Sequence, residues 1–366
     1  MKLLLLGMCL FGLAGIVGCD NTPKASSSSS SIKGKEKIDI EIDMEYDIRG
    51  GSTDSYIAYV SSLQIDNEHN IYVLDADPRS QTRLISYSES GDVRWVLNKE
   101  GSAPGELRYV YGFSYDGDSL LYLSNQLGTR IDTYSLNGDY ISSKMVSDIG
   151  KTRVTIVGFI EPKLMIIKES LFGDYGATIS AVNISSESWQ IIDTFTVSQK
   201  GNIAVPSEIS ISPVISLING NIVVGNVLEY EYVMYSTAGM VVSRISRSDV
   251  PFRAPILSGT GFGVSFREMS QLFPLMGLRD SVLIGGGWWP GNNMSKELTI
   301  NDEIYDSDMM RVVDIYEGDT REPISFDATT IQVKNLLATD GKEYLYAEMY
   351  GEWPKIGRFR IVKNQF

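Results

Sequence analysis

Ile71-Tyr72-Val73-Leu74-Asp75, followed by Arg83-Leu84-Ile85-Ser86-Tyr87-Ser88 and a turn at Gly91-Asp92, returns as Leu121-Tyr122-Leu123-Ser124-Asn125, Arg130-Ile131-Asp132-Thr133-Tyr134-Ser135 and Gly138-Asp139. The two turn glycines are 47 residues apart. A third copy, Asn221 to Asn226, Tyr232 to Ser236 and Gly239, follows 101 residues after Gly138, close to two periods. The skipped copy is Leu164 to Ile167 with Thr178 to Ile184 and a turn at Ser185 to Ser188. A fifth, stretched by an insertion, runs through Val282 to Ile284 and Arg311 to Tyr316 up to Gly318. The last unit has three candidate strands, Gln332 to Ala338, Glu343 to Met349 and Ile356 to Val362. Short β-branched and aromatic runs bounded by glycine and aspartate are strands.

A period of about 40 to 50 residues made of short strands marks a β-propeller, whose four-stranded blades bury their faces only by stacking around an axis. Five complete hairpins and a terminal unit one strand short predict an all-β, six-bladed propeller over residues 37 to 366. The missing strand is supplied from the other end of the chain. Ile38, Ile40, Ile42, Met44 and Tyr46 alternate with Asp39, Glu41, Asp43, Glu45 and Asp47, the period of two of a strand with one face buried. Its acidic face fits an outer edge, where charge blunts unwanted pairing. Seven blades would also suit the length, but insertions after residues 200, 246 and 285 take it up.

Between the first two copies lies Glu100-Gly101-Ser102-Ala103-Pro104-Gly105-Glu106-Leu107. Together with "IYVLD" and "LYLSN", this stretch resembles the inter-blade connection and second strand of NHL-type six-bladed propellers. The resemblance is good over residues 56 to 150, faint over 151 to 246, and implies the same ring beyond. Gly101, Pro104 and Gly105 suit a connection that must cross from a blade's outer edge to the axis.

The first residues carry an address. Lys2 precedes the apolar run Leu3 to Val17, which is too short for a membrane-spanning helix of about 20 residues but right for a signal-peptide core. The run ends in Ile16-Val17-Gly18-Cys19, which resembles the lipobox of bacterial lipoproteins. That resemblance implies a signal peptide over residues 1 to 18, cleavage before Cys19, a diacylglycerol on its thiol and a further acyl group such as palmitate on its amine. Residues 19 to 36, with six serines from Ser26 to Ser31, read as a flexible tether reaching roughly 25 Å. Cys9 would leave with the signal and Cys19 would be blocked, so the folded body has no thiol for a disulfide. The expected location is the bacterial cell envelope, outer membrane ahead of inner, with the membrane as partner through the lipid anchor and the globular domain outside the cytoplasm.

The chain has 366 residues, 43% of them apolar, and 32 basic against 46 acidic side chains, a net charge of −14. Losing Lys2 takes this to −15. Such a balance argues against nucleic acid as a partner. His69 is the only histidine, which excludes His-based triads and multi-histidine metal sites. The Asp66 to Asn70 loop departs from a calcium loop at Ile71 and Asp77 and reads as a hairpin turn; Asp75 and Asp77 read as turn residues. No metal, cofactor or catalytic residue is expected.

Two stretches stand out as candidate ligand contacts. Gly285-Gly286-Gly287-Trp288-Trp289-Pro290-Gly291 reads as a glycine-rich loop; it lacks the lysine of a phosphate loop, and Trp288 and Trp289 suit stacking on a sugar or an apolar patch, or else filling a gap between blades. Pro251 to Leu275 breaks the strand pattern, brings Phe252 and Arg253, and suggests a short helix over Ser265 to Leu272; such an insertion serves recognition or plugs the channel. The function expected is a lipid-anchored binding or scaffolding module for a protein, peptide or glycan. The alternative is a hydrolase or lyase holding a metal on the propeller axis with residues from several blades.

Overall fold

Ile71 and Val73 pack to one side of their strand, Tyr72 and Leu74 to the other, and all four are buried. A strand apolar on both faces needs a neighbouring sheet on each side, and that requirement, met six times, closes the ring. The structure, a computed structural model, describes residues 37–46, 57, 59–76, 82–171, 175–199, 212–226, 228–250, 252, 256–258, 265–267, 271–278, 282–290, 309–317, 323–327, 333–350 and 355–364.

The chain begins with β1 (Lys37–Tyr46). Blade 1 is β2 (Val60–Ile65), β3 (Ile71–Asp75), β4 (Arg83–Tyr87) and β5 (Val93–Leu97). Blade 2 is β6 (Gly112–Tyr115), β7 (Leu120–Asn125), β8 (Arg130–Ser135) and β9 (Tyr140–Met145). Blade 3 is β10 (Thr155–Glu161), β11 (Leu164–Ser170), β12 (Tyr175–Asn183) and β13 (Gln190–Gln199). Blade 4 is β14 (Val214–Ile218), β15 (Asn221–Gly225), β16 (Glu231–Tyr235) and β17 (Val241–Ser246). A small hairpin, β18 (Ile256–Ser258) with β19 (Ser265–Arg267), precedes blade 5. There, β20 (Gln271–Leu272) and β21 (Met276–Gly277) both pair with β22 (Val282–Pro290), followed by β23 (Met309–Glu317) and β24 (Ile324–Asp327). Blade 6 is β25 (Val333–Thr339), β26 (Tyr344–Met349) and β27 (Lys355–Asn364), completed by β1. The protein is thus a six-bladed propeller, and among the described residues its only helical element is the 3-10 turn Val146–Ile149.

The first strands β2, β6, β10, β14, β21 and β25 neighbour one another around the axis. Six apolar clusters each lie between two adjacent blades, the last joining Tyr46, Tyr346 and Ile356 of blade 6 to Val60, Leu63, Ile71 and Val73 of blade 1. Because strands alternate in direction, one face of the ring carries the inter-blade connections and the links from second to third strands. The opposite face carries the hairpin turns. Aspartates build three of those turns: the Asp66, Asp116 and Asp340 carboxylates each accept the N–H groups of residues two to four positions on. Asp66 also accepts from the Tyr72 hydroxyl, so this loop is the polar turn expected of it.

Ring closure follows the expected route. β1 runs antiparallel to β27, from Lys37 opposite Asn364 to Tyr46 opposite Ile356, with a bulge between Ile42 and Met44. Its acidic side chains meet basic ones on β27: Asp43 accepts from Arg358 at 2.7 Å, and Glu45 lies 3.4 Å from Lys355. Lys37 consequently sits on the turn face. The segment before it, with the predicted signal, Cys19 and tether, lies outside the described residues.

Two local expectations are corrected. Gly285 to Pro290 is strand β22, not a loop. Gly285 leaves room for the Tyr232 hydroxyl arriving from blade 4, which lies 2.8 Å from the carbonyls of Phe273 and Gly286, shares its one proton between them and accepts from the Gly286 N–H, while a Cβ on Gly286, at φ 135°, would run into the Val312 carbonyl of β23. A Cβ on Gly285 would sit 2.8 Å from Leu275 and 3.0 Å from that hydroxyl. Within Ser265 to Leu272 the described residues form β19 and β20, not a helix; pairing with β18 and β22 overrides local propensity.

Removing residues 37 to 46 strips blade 6 of its outer ladder and of buried Tyr46. At about 1 kcal/mol per lost hydrogen bond, thermal unfolding of the truncated chain should begin about 5–10 °C lower. An unchanged midpoint would show that β1 does not hold the ring shut.

Candidate functional site

Leu107 and Val110 are buried in the cluster between blades 1 and 2. With those two turned inward, Arg108, Tyr109 and Tyr111 stand on the connector face, Tyr109 57% and Tyr111 42% exposed. Gly112 follows at once as the start of β6, and a Cβ there would lie 3.2 Å from Thr155 at the start of β10. The segment therefore lies where the first strands of blades 2 and 3 converge on the connector face, near the propeller axis.

Its backbone is unusually constrained. Tyr109, Gln126 and Leu127 have φ of 52°, 51° and 59°, three of the five non-glycine residues in the left-handed region among those described. Each such residue costs on the order of 1 kcal/mol or more and persists only where surroundings over-determine it. Here the surroundings are explicit. Gln126 and Leu127 donate their N–H groups to the carbonyls of Arg108 and Tyr109 at 2.8 and 3.0 Å, and the Tyr111 N–H reaches the Ser124 carbonyl at 2.9 Å. The Asn125 amide oxygen accepts from both Arg108 and Gln126 N–H at 2.8 Å.

Beneath this lies a buried ionic knot. Arg130 donates to the carbonyls of Ser102, Ala103 and Glu106 at 2.7, 3.2 and 3.1 Å and pairs with the fully buried Asp132 at 2.7 Å. Asp132 also accepts from Asn125 at 2.6 Å and Ser143 at 2.7 Å. The rigid fork of the guanidinium suits this many fixed acceptors. Gly101 makes room for Glu106, whose carboxyl is held below its usual range by the Ala103 N–H and then by Lys99. The Gly101–Glu106 connection is thus a preformed loop stapled to blade 2.

Gly128 extends the knot to blade 3. Its φ is 77°, a Cβ there would lie 2.4 Å from the Val154 carbonyl, and its own carbonyl accepts the Val154 N–H at 2.8 Å. This contact, with Thr155 against Gly112, brings the start of blade 3 up to the Tyr111 segment; burial pushes the Tyr111 phenol's pKa up and the Arg153 charge acts against it. On the other side the Arg108 guanidinium stands 5.4 Å from the Tyr109 ring centroid and donates to the Ser102 hydroxyl. The result is two exposed phenols on a fixed backbone, Tyr109 beside the Arg108 guanidinium and Tyr111 within reach of the Arg153 charge.

The residues singled out from sequence lie elsewhere. Trp288 and Trp289 occupy the connector-face end of β22, opposite Arg311 and Met310; their rings are outside the described residues, as are Arg253 and Cys19. Phe252 is half-buried, edge-on to Tyr230 at 6.1 Å, and packs against the cluster between blades 4 and 5. Asp75 accepts from the Tyr59 N–H and pairs with Arg83, and Asp77 is not among the described residues. Among those described, no three His, Cys, Asp or Glu side chains converge as a metal site requires. Sequence reasoning missed Arg108, Tyr109, Tyr111 and Arg153. The available signal was a pair of tyrosines, two residues apart, directly after the connection.

No protein-family model matches the chain, and no curated protein matches it. Among solved structures it is similar to a member of the DUF4221 family from Bacteroides vulgatus, at 11% identity over 90% of this chain and 99% of that one, with a TM-score of 0.58. It is also similar to a protein from Bacteroides fragilis assigned as exported, at 9% identity over 89% of this chain and 96% of that one, with a TM-score of 0.55. Likeness at such identity establishes the six-bladed fold and nothing finer.

Asp132→Ala would leave Arg130 buried without its counter-charge, a loss of about 3–5 kcal/mol in urea denaturation. Replacing both residues with apolar ones of similar volume, Arg130→Met with Asp132→Leu, should cost less than the single change. A single change costing under about 1 kcal/mol would mean the knot does not hold the platform.

Proposed function

We propose that this chain is an envelope lipoprotein whose propeller is a binding module for a protein, peptide or glycan, engaged at the connector face. The observation that carries the binding role is the exposure of Tyr109 and Tyr111 on a backbone held in a strained, over-determined conformation. Tyrosine offers large rigid contact area at small entropic cost, and a surface fixed before binding loses little on ordering. The end of β22 opens on the same face, and we retain Trp288 and Trp289 as a further contact there.

Anchoring rests on Ile16-Val17-Gly18-Cys19 and the serine-rich stretch after it, supported by the exported assignment of the B. fragilis neighbour. Two or three acyl chains meet the requirement for stable attachment. Since β1 starts on the turn face, a tether from Cys19 joins the ring on the side opposite Tyr109 and Tyr111 and leaves the patch facing away from the bilayer. A binding role also accords with the use of the buried carboxylates: Asp75, Asp132 and Asp314 are neutralised by Arg83, Arg130 and Arg247.

Cys19→Ser should remove the acyl mass and move the protein from the membrane to the soluble fraction; a variant still retained by membranes would overturn the anchor. A photo-reactive residue at Tyr109 should capture an envelope component that the same residue at Ile192, 56% exposed on an outer strand, does not. Equal capture at both positions would remove the binding role from the connector face.

A further inference from the structure

The chemistry of the patch narrows its ligand. Most of the described arginines elsewhere in the ring are paired with acids, Arg83 with Asp75, Arg130 with Asp132, Arg244 with Glu231, Arg247 with Asp314 and Arg358 with Asp43, while Arg94 donates to the Tyr72 and Ser86 hydroxyls. Arg108 and Arg153 have no carboxylate partner among the described residues, in a chain whose net charge is −14. Two guanidiniums without a carboxylate, each near a tyrosine, call for an anion, and carboxylate is the group their planar forks match. Of the segment's aliphatic side chains, Leu107 and Val110 are buried and Leu127 is half-buried. Among the described residues, two large phenol rings and the polar groups of Ser102 and Gln126 make up most of the surface that remains outside. The C–H face of a pyranose stacks on an aromatic ring and its hydroxyls bond to phenols and amides, so this surface suits a sugar. The acidic body repels a long polyanion, which favours a short chain or a chain end.

We infer that Arg108, Tyr109, Tyr111 and Arg153 form a site for a short carboxylate-bearing oligosaccharide, a uronate at its charged position; this rests on the proposed binding role of the connector face. The tyrosines supply the stacking surface and Arg153 the charge contact beside Tyr111. Arg108 braces Tyr109 and faces the other end of the ligand.

The test is calorimetric titration of the full chain with tri-galacturonate, with maltotriose as a neutral comparison and penta-glutamate as an acidic peptide. Tri-galacturonate should bind, weaken with added salt, and bind about 10-fold less tightly to Arg153→Gln. Tyr111→Ala should weaken it at least as much, whereas Tyr109→Phe, which keeps the ring, should have a smaller effect; melting midpoints matching the parent's show that these variants fold. Equal affinity for maltotriose would overturn the charge assignment. Tighter binding of penta-glutamate, weakened by the same variants, would overturn the sugar class while leaving the face in place. Binding of tri-galacturonate indifferent to Tyr111 and Arg153 would place the ligand elsewhere and overturn the connector-face reading as well. No binding of tri-galacturonate at millimolar concentration would overturn the inference itself.

Discussion

Burial of second strands on both faces is the constraint from which the architecture follows. A sheet that hides one side can end at solvent, but β3 hides Ile71 and Val73 on one side and Tyr72 and Leu74 on the other, and β7 and β11 behave alike. Each blade therefore needs two neighbours, and a row of such blades has no acceptable end. Closing the circle removes the ends, and six clusters between six blades show that every junction is filled. With no cysteine available within the ring, the lock is the β1–β27 ladder, a pairing between segments more than 300 residues apart in sequence.

Buried charge is used for a different end. An Asp–Arg pair taken out of water gains little net stability, because desolvation offsets most of the attraction. What the pairs provide is position. Arg130 fixes the carbonyls of the connection between blades 1 and 2, and Arg247, reaching from the end of blade 4, binds Asp314 of blade 5 at 2.7 Å while Ser325 and Tyr230 bond the same carboxylate. These knots govern how the chain passes from blade to blade on the connector face. Apolar clusters decide that the blades pack, and buried ionic groups decide where their connections lie.

That division explains what the sequence could disclose. Periodicity reports packing, so strand runs repeating from Gly91 to Gly138 to Gly239 were enough for the ring, its blade number and the strand that closes it. Packing between distant segments left no local trace. Gly285 and Gly286 look like a loop because the groups that demand their small size, the Tyr232 hydroxyl more than 50 residues earlier and the Val312 carbonyl on the next strand, are distant in sequence. The segment around Ser265 looks helical until its strand partners are known. Tyr109 and Tyr111 read as the approach to a strand, and only the contacts of Arg130 and Asn125, each from a later part of blade 2, make them a surface. The turn at Asp66 was legible; those at Asp116 and Asp340, which the structure adds, stand at the same distance ahead of a Tyr in the second strand, and that shared spacing is a second record of the repeat.

The two faces consequently differ in kind. Turn-face hairpins are short and locally satisfied, each aspartate closing its own loop, and they have little freedom to vary without breaking a blade. Connector-face segments are held by long-range contacts such as Arg130 to Ser102, so their exposed side chains are free of any duty to the loop's own geometry. Backbone strain concentrated at Tyr109, Gln126 and Leu127 is tolerable there because the knot beneath is independent of what the tyrosines touch. A propeller built this way separates holding from touching. Blades and buried pairs supply the frame, and the Tyr109 and Tyr111 rings stand outside it.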